Sequence, residues 1–252
     1  MPGLIARLPL VTMVLAILMP SSVRAEPVTP GTQQARQYVT SVGRGDEARE
    51  VTLRYWLFVP KEYAETKQVP LMLFLHGAGE RGDDLERVKK WGPPKRVAND
   101  KDFPFLLISP QCEKDERWDA EEMVLLVKHV VGDYRVDQNR MYCTGLSMGG
   151  YGTWSLLAAR PNMFAAGIPI CGGGNPAKAK QLAGVPLWVF HGDKDSTVPL
   201  KRSEQMVQAV KEAGGNVRLT VYPGVGHNSW SATYANPKAY DWLLSHSLKG
   251  RE

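Results

Sequence analysis

The 252 residues carry 43% apolar side chains, enough for one substantial core, with 31 basic groups against 26 acidic ones. Setting aside residues 1–25 removes Arg7 and Arg24 and no acid, which leaves 29 against 26, a net charge of +3. So slight an excess, with no Lys/Arg run, gives no ground for a nucleic-acid partner.

Residues 1–25 combine a basic start, an apolar run from Leu8 to Met19, and small residues before a break at Ala25. They read as a secretory signal, which places the mature chain in the periplasm or outside the cell. The run is short for a bilayer core of about 30 Å, and no later stretch is long and apolar enough to span a membrane. Residues 26–50 are expected to form an N-terminal arm and an edge strand. Glu26 to Ala35 is rich in Pro, Thr and Gln and reads as loose, and Gln37 to Val42 as the strand. Residues 51–252 read as one α/β domain.

Val51, Leu53, Tyr55, Leu57 and Val59 recur at period 2, so a strand is expected there, paired antiparallel with the edge strand. Val69 to His76 is a continuous apolar run between Pro70 and Gly77, too short for a helix. It has the pattern of a strand buried on both faces. Phe105 to Ser109, Arg140 to Thr144, Ala166 to Cys171, Leu187 to His191 and Val217 to Tyr222 read as further strands. Helices are predicted over Glu121 to Tyr134, Gly150 to Ala159, Ser203 to Ala213 and Pro237 to Leu248. Strands alternating with helices imply a mostly parallel central sheet with helices on both faces.

In such sheets ligands gather beyond the carboxyl ends of the strands. His76-Gly77-Ala78-Gly79 follows the Val69 strand, and Gly145-Leu146-Ser147-Met148-Gly149 follows the Arg140 strand. Asp193 and Asp195 follow the Leu187 strand, and Gly226-His227 follows the last one. The pattern Gly-x-Ser-x-Gly between strand and helix puts a serine on a tight corner with its hydroxyl over the sheet edge. A serine needs a base to become nucleophilic, and His227 can take and return that proton. A carboxylate behind it would fix the tautomer. The backbone N–H groups of Ala78 and Met148 are the expected oxyanion donors.

Together these motifs resemble the α/β-hydrolase fold, over about Val51 to Leu248. The similarity is to its secreted serine esterases: phospholipase/carboxylesterases, dienelactone hydrolases and feruloyl esterases. The resemblance implies a Ser-His-Asp triad of Ser147, His227 and Asp195. It selects Asp195 by matching His-Gly-x-x-Asp-x-x-Val-Pro, with Asp193 as the rival that would otherwise brace the turn. It implies carboxylic-ester hydrolysis through an acyl-enzyme, without metal or organic cofactor, on small or polymer-linked esters such as feruloyl, aryl or acetyl esters of plant polysaccharide. A peptidase of the prolyl-oligopeptidase type and a non-catalytic binding protein on the same scaffold are the rival readings.

Only 48 positions separate Ser147 from Asp195, which leaves no room for a large lid. Trp118 and Trp230 are candidate aromatic walls of a substrate cleft. Arg81 is expected in a structural salt bridge, and His76 and His191 as strand-end hydrogen-bond partners. Trp56, Trp154, Trp188 and Trp242 read as core. Cys112, Cys143 and Cys171 lack metal-site spacing and read as buried thiols, with room for at most one disulfide.

Overall fold

The computed structural model describes residues 27–43 and 45–249. The expected signal sequence, 1–25, lies outside the described residues.

Eight strands form one sheet: β1 (Gln33–Val42), β2 (Arg49–Phe58), β3 (Val69–Leu75), β4 (Leu106–Pro110), β5 (Val136–Leu146), β6 (Ala166–Ile170), β7 (Leu187–Gly192) and β8 (Val217–Tyr222). Their order is β1-β2-β4-β3-β5-β6-β7-β8. β1 and β2 form an antiparallel hairpin, β2 meets β4 antiparallel, and every later pairing is parallel. The chain steps from β3 outward to β4, then returns to place β5 on the other side of β3. The loops after β3 and β5 therefore part at a topological switch point, the place where open α/β sheets bind ligands.

The helices are α1 (Gly92–Arg96), α2 (Ala120–Asp133), α3 (Met148–Ala159), α4 (Ala179–Leu182), α5 (Lys201–Glu212), α6 (Trp230–Ala235) and α7 (Pro237–Leu244). Strand periodicity sorts the core into two layers. Leu71, Leu73 and Leu75 of β3 pack with Leu126, Val127 and Val130 of α2, Trp154 of α3 and Val207 of α5. Met72 and Phe74 face the other way, into Phe105, Tyr142, Tyr234 and Tyr240 beside α6 and α7. All seven residues of β3 are buried, which is why its sequence shows no alternation. Asp119 caps α2 by accepting from Glu121 N–H (2.8 Å) and Glu122 N–H (3.0 Å).

Several expectations require correction. β1 starts at Gln33, inside the supposed loose arm, because Gln33 to Val42 pairs along the whole of β2. Backbone pairing outweighs a polar composition at an edge. The last helix ends at Leu244, not Leu248, because the chain turns so that Leu248 N–H reaches Asn139 O (2.9 Å). β5 begins four residues earlier than its apolar run, and α3 starts at Met148, directly on the serine. Trp56 and Trp242 are only half-buried. Trp56 lies under the Lys89 ammonium, 3.8 Å from the ring centroid, on the outer part of the sheet.

His76 ends β3 and is sealed in the interior. Its Nε2 accepts from Cys112 N–H (3.0 Å), and its Nδ1–H donates to Gly77 O (2.6 Å). Burial pushes it down to about 4, so it is neutral at pH 7. An unfolded histidine takes its proton near pH 6.5, well above the folded one. The stability this provides is complete above about pH 6.5 and is lost as pH falls towards 4, a loss on the order of 3 kcal/mol. The midpoint of thermal unfolding is expected to fall across that window in the wild type, and to fall less steeply in His76→Gln. In the central strand, Leu73→Ala should lower the free energy of unfolding by about 2–5 kcal/mol, read from urea denaturation.

Candidate active site

Ser147 joins β5 to α3 with φ +52° and ψ −116°, a backbone conformation that non-glycine residues adopt only under constraint. The constraint comes from both sides. Ser147 N–H donates to Ile170 O (2.9 Å), and Ser147 O accepts from Tyr151 N–H (3.0 Å). The flanking glycines allow backbones to close in. A Cβ on Gly145 would stand 2.4 Å from Gly149 O, and one on Gly149 would stand 1.9 Å from Leu75 O.

His227, in the loop after β8, points Nε2 at Ser147 Oγ (2.9 Å) and Nδ1 at Asp195 Oδ2 (2.7 Å). The three side chains singled out in the sequence thus form one hydrogen-bonded line. Asp193 is not part of it: its carboxylate accepts from Gly224 N–H (2.7 Å) and braces the neighbouring turn. Asp195 Oδ1 accepts from Thr197 N–H and Val198 N–H, both at 2.9 Å. Burial alone would push this carboxyl up. The hydrogen bond from His227, joined by those backbone donors, holds it below the usual carboxylate range.

The loop after β3 runs beside the serine. A Cβ on Gly77 would lie 3.6 Å from Ser147 Cβ. Ala78 is exposed, and Met148 opens α3, so its N–H has no partner within the helix. Glu80 is buried under this loop, and burial pushes its carboxyl up. Arg81 forms no salt bridge among the described residues. Its Nε donates to Ala78 O (3.2 Å) and its Nη1 to Glu116 O (3.1 Å), so it braces the loop through carbonyls.

The two candidate aromatic walls lie on opposite flanks. Trp230 stands edge-on to the His227 ring, 5.2 Å between centroids, and its far side meets Trp91 at 5.9 Å. Trp118 donates its indole N–H to His76 O (3.0 Å). It borders a cavity of about 300 Å³ that starts at Met148 and follows one face of α3 past Gly152, Ser155 and Ala158. Met206, Leu182 and Trp154 give it an apolar lining, and Arg117 and Lys178 also border it.

Three features of this edge were not foreseen. Glu80, as a buried acid, left no trace in the local pattern. His191 was read as a strand-end partner, which it is, but it also reaches Asp195. Cys171 follows β6 with φ +40°, and the strand-end rule that found the other groups points to it too. All three cysteines are buried and free. Cys171, Asp195 and His227 bring ligand-type atoms within 4.8 Å of one another. Burial pushes the Cys171 thiol up to about 12, and the carboxylate is already filled by N–H donors. That chemistry is a hydrogen-bonded set, not a cation site.

Comparison with known proteins places the fold. A thermostable esterase of known structure is 34% identical, with a TM-score of 0.69 over 84% of this chain and 63% of its own. A ferulic acid esterase shares the fold at 19% identity, TM-score 0.56, over 84% of this chain and 98% of that one. The bifunctional acetylxylan esterase/xylanase XynS20E of Neocallimastix patriciarum is 23% identical over 154 residues, 57% of this chain and 22% of that protein. The chain therefore spans less than two thirds of the length of the thermostable esterase and of XynS20E. The family description "Dienelactone hydrolase family" matches residues 92–241, a segment that runs from α1 through the Ser147 corner and His227 into α7. On that match over more than half its length, the chain belongs to the dienelactone hydrolase family.

Proposed function

We propose that residues 51–252 form a serine hydrolase domain that cleaves carboxylic esters through an acyl-enzyme, acting in the periplasm or outside the cell. The observation that carries this reading is the line Ser147 Oγ, His227 Nε2 at 2.9 Å, His227 Nδ1, Asp195 Oδ2 at 2.7 Å.

Ser147 attacks the ester carbonyl as His227 Nε2 takes the hydroxyl proton. The Nδ1–H bond to buried Asp195 keeps Nε2 free to accept and stabilises the imidazolium that forms. Charge on the carbonyl oxygen is met by the N–H groups of Met148 and Ala78, each worth about 2.7–4 kcal/mol in such sites. His227 returns its proton to the leaving alcohol, and the same cycle with water frees the acid. The cavity beside Met148 has the size and apolar lining to hold one large group of the ester, an aryl group included. The ferulic acid esterase and the acetylxylan esterase among the similar proteins agree with aryl or acetyl esters, small or borne on polysaccharide.

Ser147→Ala is expected to lower kcat on an activated ester by about 10⁴-fold or more, and a fluorophosphonate should label Ser147 in the wild type alone. Wild-type protein left unlabelled would sink the reading in favour of a binding protein. Matched ester and anilide substrates separate esterase from peptidase, with ester turnover expected to dominate. Ser155→Trp, which fills the cavity from its exposed rim, should lower kcat/KM for aryl esters at least about tenfold while leaving acetyl esters within about twofold.

A further inference from the structure

Asp195 Oδ2 has a second imidazole on it. His191 ends β7 with its side chain wholly buried, and its Nε2 lies 3.1 Å from Asp195 Oδ2 and 2.8 Å from Val198 O. Both neighbours are acceptors, so Nε2 carries a proton; it is hydrogen-bonded to Val198 O, and its N–H end stands beside Oδ2 as a close electrostatic contact. On the other side of the ring, Nδ1 is 2.8 Å from Ser203 Oγ. The Ser203 hydroxyl, itself buried on α5, stands also 2.9 Å from Gly172 O. With Nε2–H set by its acceptors, the neutral ring leaves Nδ1 as an acceptor, which shares the single Ser203 hydroxyl proton with Gly172 O.

The carboxylate at this site is completely buried, and among the described residues no lysine or arginine makes an ion pair with it. Oδ1 is fixed by two backbone donors; among the described residues Oδ2 meets two imidazoles, accepting a hydrogen bond from His227 and standing 3.1 Å from His191 Nε2. One of these, His227, changes charge during the proposed cycle. The other sits behind the site, out of reach of Ser147 and of solvent.

We propose that His191 is a positioning residue. Its Nε2–H, braced by Ser203, fixes Val198 O in the turn that supplies the Oδ1 donors and sets an N–H end beside Oδ2, so the carboxylate keeps the orientation His227 needs and the proton stays on His227. This rests on the roles given above to Ser147, His227 and Asp195. The titratable groups facing the carboxylate are His227, His191 and Cys171, and the thiol is neutral throughout the working range.

The experiment compares His191→Phe, His191→Gln and Ser203→Ala on one soluble ester across pH, with active enzyme counted by fluorophosphonate titration. Without the N–H beside Oδ2, the carboxylate pulls harder on the His227 proton, so the acid limb of kcat/KM moves to higher pH. His191→Phe is expected to lose kcat about tenfold or more per active site, with KM within about twofold and that limb displaced. Glutamine can place an amide N–H near the Nε2 position, so His191→Gln should regain most of the kcat and return the limb towards the wild-type position. Ser203→Ala should displace the limb in the same direction by less.

A folded His191→Phe enzyme with wild-type kcat and pH profile overturns the proposal. So does activity that falls only in proportion to the titrated sites, with the limb unmoved. If His191→Phe does not fold, Ser203→Ala decides: a displaced limb supports the proposal and an unmoved one overturns it. Wild-type enzyme whose Ser147 takes no label would instead overturn the hydrolase reading itself.

Discussion

The carbonyl oxygen of Leu75 sits where a side chain at position 149 would be: a Cβ there would come within 1.9 Å. This contact presses the first turn of α3 against the end of β3. Because β3 and β5 are neighbours in the sheet, it also brings the Ser147 corner alongside the loop from Gly77 to Glu80. The strained serine persists because its N–H and carbonyl are both committed, to Ile170 and Tyr151. Strain of this kind is worth about 1–3 kcal/mol. The fully buried apolar side chains of β3 offset it readily, since each contributes about 1.5–3 kcal/mol.

The other end of the hydrogen-bonded line obeys a different constraint. An ionised carboxylate in a dry interior is unfavourable unless its oxygens are filled. Asp195 solves this with three N–H groups, two from its own loop and one from His227, and with the His191 N–H close beside Oδ2. The backbone donors exist because the chain turns tightly from Asp195 to Val198, so the turn and the acid form together. His227 keeps 21% of its side chain exposed while the Asp195 side chain is sealed. The line therefore runs from a dry acid to the half-buried Ser147 at the edge of the sheet.

Much of this was legible in the sequence because it depends on short-range chemistry. The β3 strand could be read from seven buried positions in a row, and the serine corner from two glycines that the geometry now requires. His227 and the pair Asp193 and Asp195 could be placed because groups following parallel strands share one edge, and the choice of Asp195 came from the family resemblance. What escaped reading depends on packing between distant segments. β1 was read four residues too short because its pairing with β2, not its own composition, makes Gln33 to Arg36 extended. α7 was read too long because the bond from Leu248 to Asn139 that turns the chain away has no local signature. The contact of His191 with Asp195 was invisible because it depends on how a four-residue turn folds back over the strand end. The burial of Glu80 was hidden for the same reason, since its environment is built by the loop and by Trp91.

Around the candidate site, the rim of the sheet is anchored to the backbone of the Ser147 corner. The His76 carbonyl accepts the Trp118 indole N–H, and the same oxygen would lie 2.8 Å from a Cβ on Gly149. One peptide group thus fixes the wall of the cavity and the approach of the Ser147 corner. The next residue, Gly77, opens the loop that carries the Ala78 N–H. The His76 ring, held neutral by burial, adds no charge behind this loop near neutral pH. A substitution that moves Trp118 therefore pulls on the peptide against which the Ser147 corner is seated. Ser155 and Ala158 border the same cavity a turn or more along α3, so changes confined to them leave that anchor in place.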